Sequence, residues 1–161
     1  MNKDINTEIR DSINEKLRNC SDFLKTNFDF LEINNYRYNI VNAIEDLGLD
    51  ADLIEHLIED YVAQIVRNKV VFLAYLDELR ANQEESLELD YTPLRELAHK
   101  NLGVARNLRI EDGKRVLEEL MREEDLDYLR RCVEALESCA IKLKPKCAYE
   151  TLKLMSIKNM L

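Results

Sequence analysis

The chain of 161 residues holds two histidines, His56 and His99. An imidazole ordinarily titrates near pH 6.5, about where it must to offer a nucleophilic ring nitrogen at neutral pH. His99 stands in the string TPLRELAHKNLGVARNL, with Arg95 four residues before it, Lys100 beside it, Leu102 and Gly103 one turn after it and Arg106 two turns after it. Turning successive residues by about 100° places Arg95, His99, Leu102, Gly103 and Arg106 on one strip of a helix. Leu94, Leu97, Ala98, Val104, Ala105 and Leu108 gather on the other side, in a direction that includes Asn101. His99 lies roughly 160° from that direction, so the pattern predicts an exposed imidazole near mid-helix. Asn101, carried into the core, needs a hydrogen-bond partner there.

Gly103 is the second signal, because a glycine inside a helix costs about 1 kcal/mol relative to alanine. Its missing side chain either opens space for another molecule to reach the imidazole or lets a neighbouring helix pack closely. Charge is the third. Residues 92–110 carry Arg95, Lys100, Arg106 and Arg109 against the single acid Glu96, in a chain of net charge −9. Such a strip suits phosphate or acidic groups. His56, by contrast, has Glu59 and Asp60 within about one turn, surroundings that repel phosphate, and is expected to be an ordinary surface residue.

Other chemistries find less support. Glu96-x-x-His99 has the spacing of a di-iron ligand pair, but a second such pair is missing, since Leu53 stands where His56 would need its glutamate. No metal or cofactor is expected. Cys20, Cys132, Cys139 and Cys147 form no Cys-x-x-Cys pair and are expected to be buried or boundary thiols. No Ser-His-Asp ordering or phosphate-cradling glycine loop is visible. The acidic balance, with a pI near 4.9, argues against nucleic acid. No run of about 18 apolar residues suggests a membrane span. The opening MNKDINTEIRDSINEK lacks the apolar stretch of a secretion signal, so a cytoplasmic location is expected.

Three glycines, two prolines and 34% charged residues favour long helices with solvated outer faces. Ile5, Ile9, Ile13, Leu17, Cys20, Leu24, Phe28 and Leu31 recur at steps of three and four and predict one amphipathic helix. Its stripe either folds back on the rest or pairs with a second copy in a homodimer. The Asn-rich NNYRYN interrupts it, and a short helix then stops at Gly48. Asp50 or Asp52 caps a helix running to about Arg80, roughly 45 Å long. Thr92 as N-cap and Pro93 at the first position open the His99 helix, which reaches about Leu108. Two more helices follow, Glu111 to about Arg122 and Asp125 to about Lys144, before Pro145 and a final short helix. Four helices joined by short loops predict an all-α, antiparallel up-down four-helix bundle over residues 49–145, with an N-terminal helical extension (1–48) and a C-terminal helical tail (146–161).

At His99-Lys100-Asn101-Leu102-Gly103 the chain resembles the histidine-containing phosphotransfer (HPt) domain of two-component phosphorelays, whose helical motif reads His-x-Leu-Lys-Gly. LGLDADLIEHLIEDYVAQI is similar to the family's preceding helix and GKRVLEELMREEDLDYLRRCVEALE to its last two. The resemblance implies that His99 takes a phosphoryl group from one receiver-domain aspartate and passes it to another. The partners it implies are a response-regulator receiver domain and a hybrid histidine kinase, the receiver bringing its own Mg²⁺ and carboxylates. On this reading Arg95, Lys100 and Arg106 face phosphate, Arg106 best by direction and Lys100 worst. Leu102 forms part of the docking surface and Gly103 the access gap. Leu102 stands where the family has lysine, which leaves an alternative: an inactive relative that docks a receiver or kinase without phosphotransfer.

Overall fold

The computed structural model describes residues 4–158. Its regular elements are all helical: α1 (Ile5–Phe28), a 3₁₀ turn (Asp29–Leu31), α2 (Ile40–Leu47), α3 (Ala51–Glu84), α4 (Thr92–Asn107), α5 (Glu111–Arg122), α6 (Leu126–Leu143) and α7 (Pro145–Ile157). No helix among the described residues is long and apolar enough to cross a membrane.

The helix starts follow local chemistry. Asp4, Asn39, Asp50 and Asp125 accept hydrogen bonds from backbone N–H groups in the first turns of α1, α2, α3 and α6, satisfying donors that have no partner within the helix. Gly48 ends α2 in the left-handed conformation with φ +64°, which glycine adopts without penalty. At α4 the cap differs from expectation. Thr92 is already helical and Tyr91 stands at the N-cap without a side-chain cap bond, while the Thr92 N–H donates to Asp90 Oδ1, outside the helix, at 3.0 Å. The helix from Asp50 also runs one turn past Arg80, to Glu84, about 51 Å at 1.5 Å per residue.

Cross-helix pairs fix the packing. Arg80 meets Asp127, Arg130 meets Asp77, Lys69 meets Glu137 at 2.9 Å, and Lys144 meets Glu55, so α6 runs antiparallel to α3 along most of its length. Arg95 and Tyr91 at the start of α4 reach Glu123 and Glu124 at the end of α5, and Tyr128 at the start of α6 reaches Glu119 near that same end. Helices α3, α4, α5 and α6 thereby form a ring of neighbours, α3 touching α4 and α6 and α5 touching α4 and α6. Their inner faces supply a core in which Ile54, Ile58, Ile65, Phe72, Leu94, Ala98, Leu117, Leu120, Leu129 and Leu136 are closed from solvent. Cys20, Cys132 and Cys139 are buried and Cys147 half-buried, all as free thiols.

The N-terminal helix folds back. Ile9, Ile13, Cys20, Leu24 and Phe28 are buried where α1 lies on α6 and α7, and Lys16 pairs with the buried Glu137. Of the two expected alternatives, folding back or pairing with a second copy, the structure shows the first: the stripe is covered from Ile9 to Phe28 by the chain's own helices. Leu31 falls in the 3₁₀ turn rather than in α1, and Glu32 closes that turn left-handed at φ +55°.

Candidate functional site

Both ends of α4 are pinned. At its start Pro93 sits in the first turn and Asp90 accepts from the Thr92 N–H. At its end Arg109 takes φ +64°, and Ile110 N–H returns to Ala105 O at 2.9 Å. Two tyrosines from the NNYRYN segment hold this corner from outside. Tyr38 Oη donates to Leu108 O at 2.7 Å; Tyr36 Oη donates to Arg109 O and accepts from Glu111 N–H, each at 3.1 Å. The sequence marks that segment only as an interruption. Nothing local announces a target some 70 residues on, so these two residues escape sequence reasoning.

Inside α4, Leu94, Ala98, Asn101, Leu102 and Ala105 are buried. The buried face is turned toward Leu102 relative to the sequence pattern. Val104, expected in the core, is 41% exposed, whereas Leu102, expected on the surface strip, is only 4% exposed. The helix sits between α3 and α5, and its Arg95 side faces α5, so Leu102 on that side is drawn into the interface. Leu102 therefore forms no part of a docking surface. Asn101 finds the partners it requires: Asn68 Nδ2 donates to its Oδ1 at 3.4 Å, and its own Nδ2 donates to Leu97 O at 2.9 Å.

His99 remains exposed after this rotation, near the middle of α4, with no hydrogen bond to its ring among the described residues. Around Gly103 the space is open, and a Cβ built there meets nothing within 4 Å. Close packing against a neighbouring helix does not explain this glycine. Arg106 is exposed, and its guanidinium has no ion pair among the described residues. The imidazole, the gap and one free cation thus share the outward side of α4.

The other two cations are placed differently. Arg95 lies with its guanidinium 5.0 Å from the centre of the Tyr91 ring, donates to Glu123 O at 3.5 Å and stands 4.0 Å from the Glu124 carboxylate, while its Nε is buried without a partner. It is engaged with the turn between α5 and α6 rather than presented to His99. Lys100 lies on the opposite flank, lining an apolar groove between α3 and α4 with Leu57, Tyr61 and Val104. His56 is exposed, and its Nδ1 lies 2.7 Å from Asp52 O in its own helix. That carbonyl, aided by Glu59, Asp52 and Asp60, draws its pKa upward. Among the described residues no group of three or more His, Cys, Asp and Glu side chains is placed to hold a metal ion.

Comparison with protein-family models, with curated proteins and with solved structures gives no match to this chain.

Proposed function

We propose that this chain is a phosphocarrier of the histidine-containing phosphotransfer kind, with α3 to α6 as its up-down four-helix bundle and His99 as the phosphorylated residue. The observation that carries the reading is the outward side of α4, where an exposed imidazole, open space at Gly103 and the free Arg106 guanidinium lie together. The unprotonated ring nitrogen attacks phosphorus in an aspartyl phosphate, an N–P bond forms, and the aspartate carboxylate leaves with the electron pair of the broken P–O bond. A second aspartate carboxylate then attacks the same phosphorus, and the imidazole leaves. Most of the catalysis in such transfer comes from alignment and charge neutralisation, for which a ring fixed on a helix pinned at both ends is suited. Gly103 gives a receiver domain access along the helix, and Arg106 neutralises phosphate charge. The reading places the protein in the cytoplasm beside a hybrid histidine kinase and receiver domains.

Incubation with a phosphorylated receiver, followed by assay for acid-labile, base-stable phosphate, tests the proposal. Wild type and His56→Gln take the label and His99→Gln does not; no label on wild type from several receivers overturns it. Arg106→Ala slows transfer by roughly tenfold.

A second reading, docking without chemistry, draws on two positions. Leu102 is buried where the resembling family has a cation, and Arg95 is occupied by Tyr91 and the α5–α6 turn. It predicts receiver binding that is unchanged in His99→Ala and unaccompanied by transfer.

A further inference from the structure

A cavity of about 690 Å³, within the range of small-molecule sites, lies away from α4 and opens to solvent between the 34–38 segment and helices α1, α5 and α6. Its lining mixes apolar surface with the side chains of Asn34, Asn35, Arg37, Asp112 and Lys142, the combination of apolar walls and a few polar groups that small-molecule sites share.

One wall sets a buried acid beside a half-buried lysine. Asp112, in the first turn of α5, is 4% exposed; its Oδ1 accepts from Gly113 N–H at 2.7 Å, and the Cys139 side chain lines the same pocket. Lys142 of α6 stands 4.0 Å from Asp112 Oδ2, outside hydrogen-bond reach, and donates to Tyr36 O at 2.9 Å. An ammonium has three N–H donors, so others remain for a ligand. The facing wall is Asn34, Asn35 and Arg37, whose side chains make no hydrogen bond or ion pair among the described residues. Arg37 is carried between Tyr36 and Tyr38, the two residues whose hydroxyls are fastened to the α4–α5 corner. The segment is therefore held in place before any ligand arrives, which lowers the ordering cost of binding. Two cations, Arg37 and Lys142, and one acid, Asp112, line this pocket.

We infer that this cavity is a binding site for a small oxyanion-bearing metabolite, a carboxylate or phosphate monoester held by Arg37 and Lys142, with the amides of Asn34 and Asn35 on its remaining polar groups. The site is separate from His99 and independent of the phosphocarrier reading.

Citrate and inorganic phosphate, titrated separately into the ¹⁵N-labelled full chain at constant ionic strength, serve as probes. Saturable shifts are expected at the Asn34 and Asn35 side-chain amides and along residues 36–38 with at least one of them. Citrate alone marks a carboxylate site, and phosphate a phosphate site. Arg37→Gln, at an exposed residue with no ion pair to lose, weakens binding by roughly tenfold, as expected for one charge-assisted hydrogen bond. Lys142→Met does the same and is read only if its thermal unfolding stays cooperative. Shifts that never saturate, saturable binding unchanged in Arg37→Gln, or shifts confined to Gly103 and Arg106 would each overturn the assignment.

Discussion

Asn68 on α3 donates its side-chain amide to the side-chain oxygen of Asn101 on α4, a buried contact of 3.4 Å at about the level of His99. Gln64 Nε2 donates in turn to Asn68 Oδ1 at 3.0 Å, and Asn101 Nδ2 to Leu97 O, so the polar atoms form a continuous ladder across the interface. A ladder of this kind sets the rotation of α4 about its axis, and thereby the direction of His99.

Asn101→Leu is expected to destabilise the fold by about 1–3 kcal/mol, because it strands the Asn68 amide in a buried interface. Asn68→Val combined with Asn101→Leu recovers part of that loss, since both members of the buried pair are then gone and only the half-buried Gln64 amide must turn to solvent. Urea unfolding of the two singles and the double forms a mutant cycle. A double variant no more stable than Asn101→Leu would remove the ladder from the account.

Two helical glycines are expected to respond in opposite directions to the same change. Gly103→Ala meets no atom within 4 Å and should stabilise by about 0.5–1 kcal/mol through helix propensity. Gly113→Ala brings a methyl group against the hydroxyl of the fully buried Tyr61 and should destabilise by about 1–3 kcal/mol. Calorimetric Tm values compare them directly. A loss of stability in Gly103→Ala would make that position a packing residue after all.

Leu102→Lys separates surface from core at the position where the resembling family carries a cation. With Leu102 buried, the substitution should cost roughly 2–4 kcal/mol, comparable to removing a buried leucine. Unchanged chemical-denaturation stability would mean that the lysine reaches solvent along the rim of α4 and α5, and that the position belongs to the surface.

Asp112 gives the fold a specific pH response. Burial pushes its carboxyl above the ordinary 3.8, against the opposing pull of Gly113 N–H, Lys142 and the Cys139 thiol. Because the native carboxyl holds its proton to higher pH than the unfolded one, its contribution to stability falls as pH rises from about 4 through the native value and is constant above it. The difference in unfolding free energy between wild type and Asp112→Asn should slope in that window and flatten at neutral pH. A difference independent of pH would show that Asp112 titrates alike in both states.

The helices were legible because their signals are local: the three-and-four spacing of Ile9, Ile13, Cys20 and Leu24, the acidic cap at Asp50, Gly48 and Pro145. The exposed direction of His99 was legible for the same reason. Thr92 misled because the aspartate two residues earlier has the better reach to the free N–H. Leu102 and Val104 were misplaced because a single-helix pattern averages over all apolar residues. The actual buried face depends on where α3 and α5 lie, which no residue of α4 encodes. Arg95 was seen as a free cation since Tyr91 stood nearby in the sequence, but Glu123 and Glu124 did not.

The packing of α1 on α6 and α7 has a consequence during biosynthesis. Lys16 and its partner Glu137 are 121 residues apart, so α1 is made early and the surface that covers it is made late. At about 5–20 residues per second, that is a wait of roughly 6–24 s. Over that interval α1 is an amphipathic helix without a partner, while α4 and α5, neighbours in the chain, can pair as they emerge; α3 and α1 both wait for α6. Chaperone capture of the nascent chain is thus expected at residues 5–28, with docking of α1 only after α6 and α7 are made.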